Sequence, residues 1–190
     1  MSDGGYPMKK QPEVTEKTRN VIVNTFCAMY EKMPIEKIFV KDLIERAGYN
    51  RSTFYQYFSD IYALLDYVEN NVIETIRSRM GEKGTTATQL MDFFEQNELY
   101  LKALLGTNGN IHFMDRLKKE LVQYLDIRLP EVSEQIKPYV MEHHMSSTVS
   151  LFRLWIARGK DISQEELFQL IHILYHDGYL GLIKEKKYVE

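Results

Sequence analysis

The chain has 190 residues, 44% of them hydrophobic and 27% charged, with a formal net charge of −3. That length allows one generous domain or two small ones, and that charge excludes a polycation that coats nucleic acid indiscriminately, so DNA binding would need a local basic patch. Cys27 is the only cysteine, which excludes an intrachain disulfide and fits a reduced compartment.

The opening run MSDGGYPMKKQPE is polar, without the apolar core of a signal peptide, and no apolar stretch nears the roughly 20 residues of a membrane span. The expectation is a soluble, cytoplasmic protein with no membrane partner. Residues 1–14 read as a mobile arm. From Thr15 the pattern turns helical: Ile22, Phe26, Met29, Tyr30 and Met33 form one stripe, which Pro34 ends. A short second helix puts Val40, Leu43, Ile44 and Ala47 inside. Gly48 breaks it, and Asn50 is placed to cap a third helix from Arg51 to Phe58. Asp60 is placed to cap a longer fourth helix that buries Leu64, Leu65, Val68, Val72 and Ile76. Gly81 to Thr86 reads as a linker.

Beyond the linker the spacing predicts helices over Gln89–Gln96, Glu98–Leu105 and Ile111–Leu129, the last stopped by Pro130. Pro138 suits the first turn of a helix running to about Arg158, and Ser163 with Glu166 makes a capping box for the last helix. No strand-like alternation, repeat or low-complexity tract interrupts this pattern. The fold class is all-α: an N-terminal three-helix unit with its connecting helix over 15–80, and a helical C-terminal unit over 81–190.

The informative stretch is VKDLIERAGYNRSTFYQYF, residues 40–58. A helix-turn-helix needs a turn residue that tolerates positive φ, and Gly48 supplies it. Its second helix must bury one side and offer the other to a groove about 12 Å wide. Phe54 and Phe58, four apart, give the buried side. Arg51, Ser52, Thr53, Tyr55, Gln56 and Tyr57 remain for DNA, with Asn50 as cap and Lys41 on a flanking phosphate. Over residues 37–58, Lys37, Lys41, Arg46 and Arg51 outweigh Asp42 and Glu45, leaving a local charge of +2. The alternative reading of the same pattern is a packing helical hairpin in an unrelated bundle.

These residues resemble the DNA-binding domain of TetR-type regulators. The likeness runs from Thr15 to about Met80, through Val40-Lys41-Asp42-Leu43, Ala47-Gly48-Tyr49-Asn50-Arg51-Ser52-Thr53-Phe54-Tyr55-Gln56-Tyr57-Phe58 and Ala63-Leu64-Leu65. A weaker likeness continues in Phe152-Arg153-Leu154-Trp155-Ile156-Ala157-Arg158-Gly159-Lys160 and Ser163-Gln164-Glu165-Glu166-Leu167. The resemblance implies a homodimeric transcriptional regulator of double-stranded DNA. It also implies a pocket in each C-terminal half for a small apolar or amphipathic effector, and repression that the effector releases. Three positions depart from the family pattern. Phe39 stands where a Thr or Ser cap is usual, Ile61 where a phosphate-binding Lys is frequent, and Tyr49-Asn50 where Val-Ser is common.

Phe93, Tyr100, Phe113, Met114, Met141, Met145, Phe152 and Trp155 are the candidate effector-pocket residues, although aromatics and methionines at this spacing also suit plain core. A dimer follows from counting apolar faces. The last two helices are apolar around most of their circumference, more than one protomer covers. Leu151, Leu154, Trp155, Leu167, Leu170, Ile171 and Leu174 are the expected interface, and two reading heads then fit a palindromic operator. His172 and His176 share a helix face, with His143 and His144 on the preceding helix, but no Cys partner or HExxH pattern completes a metal site. Ser146 and Ser147 near those histidines lack a nucleophile elbow. No enzyme activity, metal or cofactor is expected.

Overall fold

The computed structural model describes residues 12–79, 87–123 and 133–178, and every regular element among them is helical. The helices are α1 (Pro12–Tyr30), α2 (Val40–Ala47), α3 (Arg51–Tyr55), α4 (Ile61–Arg79), α5 (Ala87–Gln96), α6 (Glu98–Leu105), α7 (Ile111–Val122), α8 (Lys137–Ala157) and α9 (Gln164–His176), with a 3-10 turn at Ile35–Lys37. Residues 1–11, the linker expected at Gly81–Thr86, residues 124–132 with Pro130, and the chain beyond Gly178 lie outside the described residues.

Several boundaries differ from the sequence reading: α5 begins at Ala87 rather than Gln89, α7 ends at Val122 with Gln123 as its C-cap rather than at Leu129, and α1 and α3 differ as follows. The first helix begins at Pro12, a residue whose fixed φ and missing N–H suit a first helical turn. It ends at Tyr30 rather than at Met33. There Lys32 N–H bonds back to Met29 O three residues away (3.0 Å), and Pro34 follows in extended geometry (ψ 152°). The third helix ends at Tyr55 rather than at Phe58. Gln56 N–H reaches Thr53 O at 3.3 Å and Tyr57 N–H reaches Phe54 O at 2.9 Å, the tighter three-residue pattern, which carries Phe58 inward.

The core is continuous across both units. Ile22, Val23, Phe26 and Tyr30 of α1 share one buried cluster with Leu43, Phe54, Leu64, Val72 and Ile76. The same cluster runs on through Phe93, Leu101, Leu104, Phe113, Leu117, Met145 and Phe152. Helix α1 packs on α2 and on α6, α4 packs on α5, α6 and α7, and α8 covers α6, α7 and α9. Polar contacts fasten these joints. Asn108, in the α6–α7 loop, donates to the Tyr30 and Glu31 carbonyls at the end of α1 (3.2 Å each). Gly109 is required in that loop because a Cβ there would strike the Leu104 carbonyl. Arg77 of α4 makes a two-pronged bond to Glu120 of α7 (3.0 Å for each prong), and Arg116 of α7 reaches Glu69 of α4 at 3.1 Å.

The last two helices have the caps their sequence announces. Pro138 sits in the first turn of α8. Ser163 Oγ accepts from Glu166 N–H (3.2 Å) while the Glu166 carboxylate accepts from Ser163 N–H (3.0 Å), a reciprocal capping box on α9.

Candidate nucleic-acid interface

The interface is built from the turn outward. Gly48 ends α2 at φ +75°, and nothing lies within 4 Å of where its Cβ would be, so the backbone angle and not lack of space demands glycine. Tyr49 N–H bonds back to Ile44 O (3.0 Å), closing the α2 terminus. One residue on, Asn50 Oδ1 accepts three hydrogen bonds: from Thr53 N–H (2.9 Å), Thr53 Oγ1–H (2.9 Å) and Ser52 Oγ–H (2.6 Å). Asn50 is therefore the cap of α3, and it holds both neighbouring hydroxyls as donors. Those hydroxyls reach an outside acceptor only by rotating off Asn50.

Phe54 is fully buried, its ring 5.4 Å from Tyr55 and 5.7 Å from Phe58. With that side anchored, Arg51, Ser52, Tyr55 and Gln56 are exposed, Thr53 and Tyr57 half-buried, and Lys41 and Asn50 exposed beside them. Tyr55 leaves 57% of its surface in solvent. Lys37, Lys41, Arg46 and Arg51 are exposed, and none forms an ion pair with a described residue. Farther along the chain, Arg77, Lys102, Arg116, Lys118, Arg158 and Lys160 are all paired with carboxylates. Unpaired cations around an exposed short helix are the group set that phosphate neutralisation needs.

The departures at Phe39 and Ile61 have structural consequences. Phe39 is the residue before α2; it makes no side-chain cap and is 62% exposed. Ile61 opens α4 but turns into the core, and Asp60 Oδ1 takes the capping role by accepting from Ala63 N–H at 2.8 Å. Arg19 went unnoticed in the sequence. It projects from α1 onto Tyr57 and Tyr67, and a guanidinium 48 residues away from its hydroxyl partner leaves no local signal to find it by.

The C-terminal candidates separate into two groups. Phe93, Phe113, Met114, Met145, Phe152 and Trp155 are buried core residues, with Tyr100 and Met141 half-buried around them. Phe152 stacks on Phe94 with ring centroids 4.0 Å apart and planes 3° from parallel, so that space is occupied by the protein's own rings. Of the expected interface residues, Trp155 and Leu167 point into the protomer. Trp155 Nε1–H donates to Ile162 O (2.7 Å), and Leu167 is 2% exposed. Both helices use those side chains to close on their own core. Leu151, Leu170, Ile171 and Leu174 are half-buried, and Leu154 is 55% exposed. His172 and His176 lie ring to ring at 4.2 Å, and His144 lies against Tyr175 at the same distance.

Residues 85–177 match the family model of the TetR-type transcriptional regulator C-terminal region. The HTH-type dhaKLM operon transcriptional activator DhaS of Lactococcus lactis subsp. lactis (strain IL1403) is 22% identical over 175 residues, covering 83% of this chain and 88% of its own. The C-terminal half is that of a TetR-type regulator. The chain as a whole is similar to TetR-type transcriptional regulators, and it is all-helical over its described residues. TetR-type proteins bind DNA, and the matched C-terminal region holds the α5 to α9 packing described above. Among the described residues, no helix is long and apolar enough to cross a membrane.

Proposed function

We propose that this chain is a dimeric, sequence-specific DNA-binding regulator that reads a palindromic operator with α3. The observation that carries the reading is the exposed face around α3. Arg51, Tyr55 and Gln56 project outward from a helix fixed by the Gly48 turn, the Asn50 cap and the buried Phe54 ring, beside unpaired Lys41 and Arg46. Helices α8 and α9 support the dimer, because α8 carries exposed Leu154 with half-buried Leu151 and α9 carries half-buried Leu170 and Leu174. A second copy covers such a face in an isologous four-helix contact. Repression released by a small effector is the regulatory arrangement this reading takes from the family resemblance.

A second reading is favoured by specific observations. The candidate pocket side chains fill one another's space, Phe39 and Ile61 offer no phosphate donor, and the DhaS relative is called an activator. In that reading the protein acts on transcription mainly through contacts with another protein, without its own small-molecule ligand.

The full-length chain, incubated with a random-sequence duplex pool, tests the choice. The first reading expects enrichment of a two-fold symmetric sequence. It also expects affinity that falls steeply with salt, and scattering mass of twice 22.5 kDa for the free protein at micromolar concentration. A 22.5 kDa particle that enriches no sequence would overturn it in favour of the second.

A further inference from the structure

Arg19 occupies a junction that the turn and cap of the reading unit do not use. Its guanidinium leaves α1 and meets groups from two other segments. Nη1 donates to the Tyr67 hydroxyl of α4 at 3.5 Å, and the guanidinium carbon lies 5.8 Å from the Tyr67 ring centroid. The same carbon lies 5.9 Å from the ring centroid of Tyr57, two residues past the end of α3. Nη2 is paired with Glu16 of the same helix at 3.0 Å. The Tyr57 ring also lies 6.3 Å from Phe58, which in turn meets Tyr67 edge-on at 5.4 Å. Tyr57 thus meets both a cation and an aromatic rim. Its hydroxyl makes no hydrogen bond to a described residue.

Contacts at that distance are at the outer limit of cation–π attraction, so their effect is orientation more than binding strength. Orientation is what Tyr57 needs. A phenol is useful to a phosphate only if its O–H is already aimed, because a ring free to rotate loses that freedom on binding. Arg19 itself is poorly suited to be the DNA contact. Glu16 neutralises it locally, its side chain is only 28% exposed, and its planar fork is turned toward the two tyrosines.

We infer that Arg19 is a positioning residue for DNA binding: with Tyr67 it clamps Tyr57 so that the phenol hydroxyl meets a backbone phosphate beside the reading helix. The inference rests on the DNA-reading function proposed above. It predicts energetic coupling between Arg19 and the Tyr57 hydroxyl, with no effect on which bases are preferred.

A double-mutant cycle on the full-length protein tests it, using the duplex enriched from the random pool. Tyr57→Phe removes only the hydroxyl and keeps the ring, while Arg19→Met keeps the stem and removes the cation. Each single variant should weaken binding roughly tenfold, the loss of one hydrogen bond to a charged acceptor. The double variant should bind no worse than Tyr57→Phe, because the clamp has nothing left to aim. The salt slope should stay unchanged in Arg19→Met, and Arg19→Lys, which restores a cation over the rings, should recover part of the affinity.

Losses that multiply in the double variant would overturn the inference. So would a salt slope lower by about one unit in Arg19→Met, which marks a direct phosphate contact. If Arg19→Met is partly unfolded at the assay temperature, the same cycle with Arg19→Gln, which also removes the cation, carries the test with the same criteria, and Arg19→Lys remains the rescue variant. Failure of the wild-type protein to enrich any duplex is a different result. It removes the DNA-reading function and this inference with it.

Discussion

Replacing Phe54 with alanine removes the ring on which α3 rests. Phe54 has no exposed surface, so its loss needs no discount for solvent contact. Truncation withdraws about 100 Å² of apolar side chain, worth about 2.5 kcal/mol at roughly 25 cal/mol per Å². The residual cavity adds to this, because α3 is only five residues long and is held at one end by the Asn50 cap and at the other by buried Phe58. It has little freedom to collapse inward. If half to three quarters of the vacated volume persists, about 50–80 Å³ at about 24 cal/mol per Å³ contributes a further 1–2 kcal/mol. The sum, about 4 kcal/mol, corresponds to a fall in thermal midpoint of roughly 8–16 °C for a protein of this size. Circular dichroism melting of the wild type, Phe54→Ala and Phe54→Leu measures it, with leucine expected to recover much of the loss. A Phe54→Ala protein that melts within about 2 °C of wild type, yet loses DNA binding, would refute the burial argument and put the ring on the DNA side.

The exposed groups should separate by role. Gln56→Ala should change base preference in a selection from the random pool, whereas Lys41→Ala should weaken all sequences alike and lower the salt slope by about one unit. A preference change confined to Lys41→Ala would reverse these roles. On α8, burial against α9 holds His144 below the ordinary imidazole pKa, and the neighbouring His143 and His176 push it the same way. A depressed folded pKa means that the unfolded chain takes up the proton first as pH falls. Stability from the neutral ring is therefore complete above about pH 6.5 and is lost below it, down to the folded pKa. His144→Phe should flatten the fall in melting midpoint between about pH 7 and pH 5. An unchanged pH dependence in that variant would show that His144 is not its source.

Most of the helical frame was legible because each boundary had a local chemical cause. Gly48, Asn50, Asp60, Ser163 with Glu166, and Pro138 act within one helical turn of their own position, and the structure uses each as a turn, cap or first-turn residue. What depended on distant residues was not legible. The early end of α3 at Tyr55 follows from pulling Phe58 into the core, where its ring meets Tyr67 of α4. Trp155 and Leu167 looked like surplus apolar residues on over-apolar helices. Counting faces on an isolated helix does not reveal that the α8–α9 loop would fold back to give Trp155 an acceptor at Ile162. The same limit applies to the aromatic residues assigned to a pocket. Helical spacing identifies an inward face, but whether that face meets a cavity or another ring depends on a partner such as Phe94 stacking on Phe152.

The polar joints bear on how the two units communicate. Glu69 and Glu120 are carboxylates with 4% and 8% of their side chains exposed, and each is satisfied by an arginine from the facing helix. Burial pushes the Glu69 carboxyl above its usual range, while Arg116 and Asn110 draw it back. A displacement of α7 that left α4 behind would strand both carboxylates without their cations, which is far costlier than an exposed ion pair would be. At the other joint, withdrawal of the α6–α7 loop would uncover the Tyr30 and Glu31 carbonyls that Asn108 now satisfies. These joints fasten α7 to α4 and the α6–α7 loop to the end of α1. Phe58 sits on Tyr67 of α4 and Tyr57 on Arg19 of α1, so the end of α3 rests on those same two helices. Its orientation is set by the same two helices through which the C-terminal half is fastened.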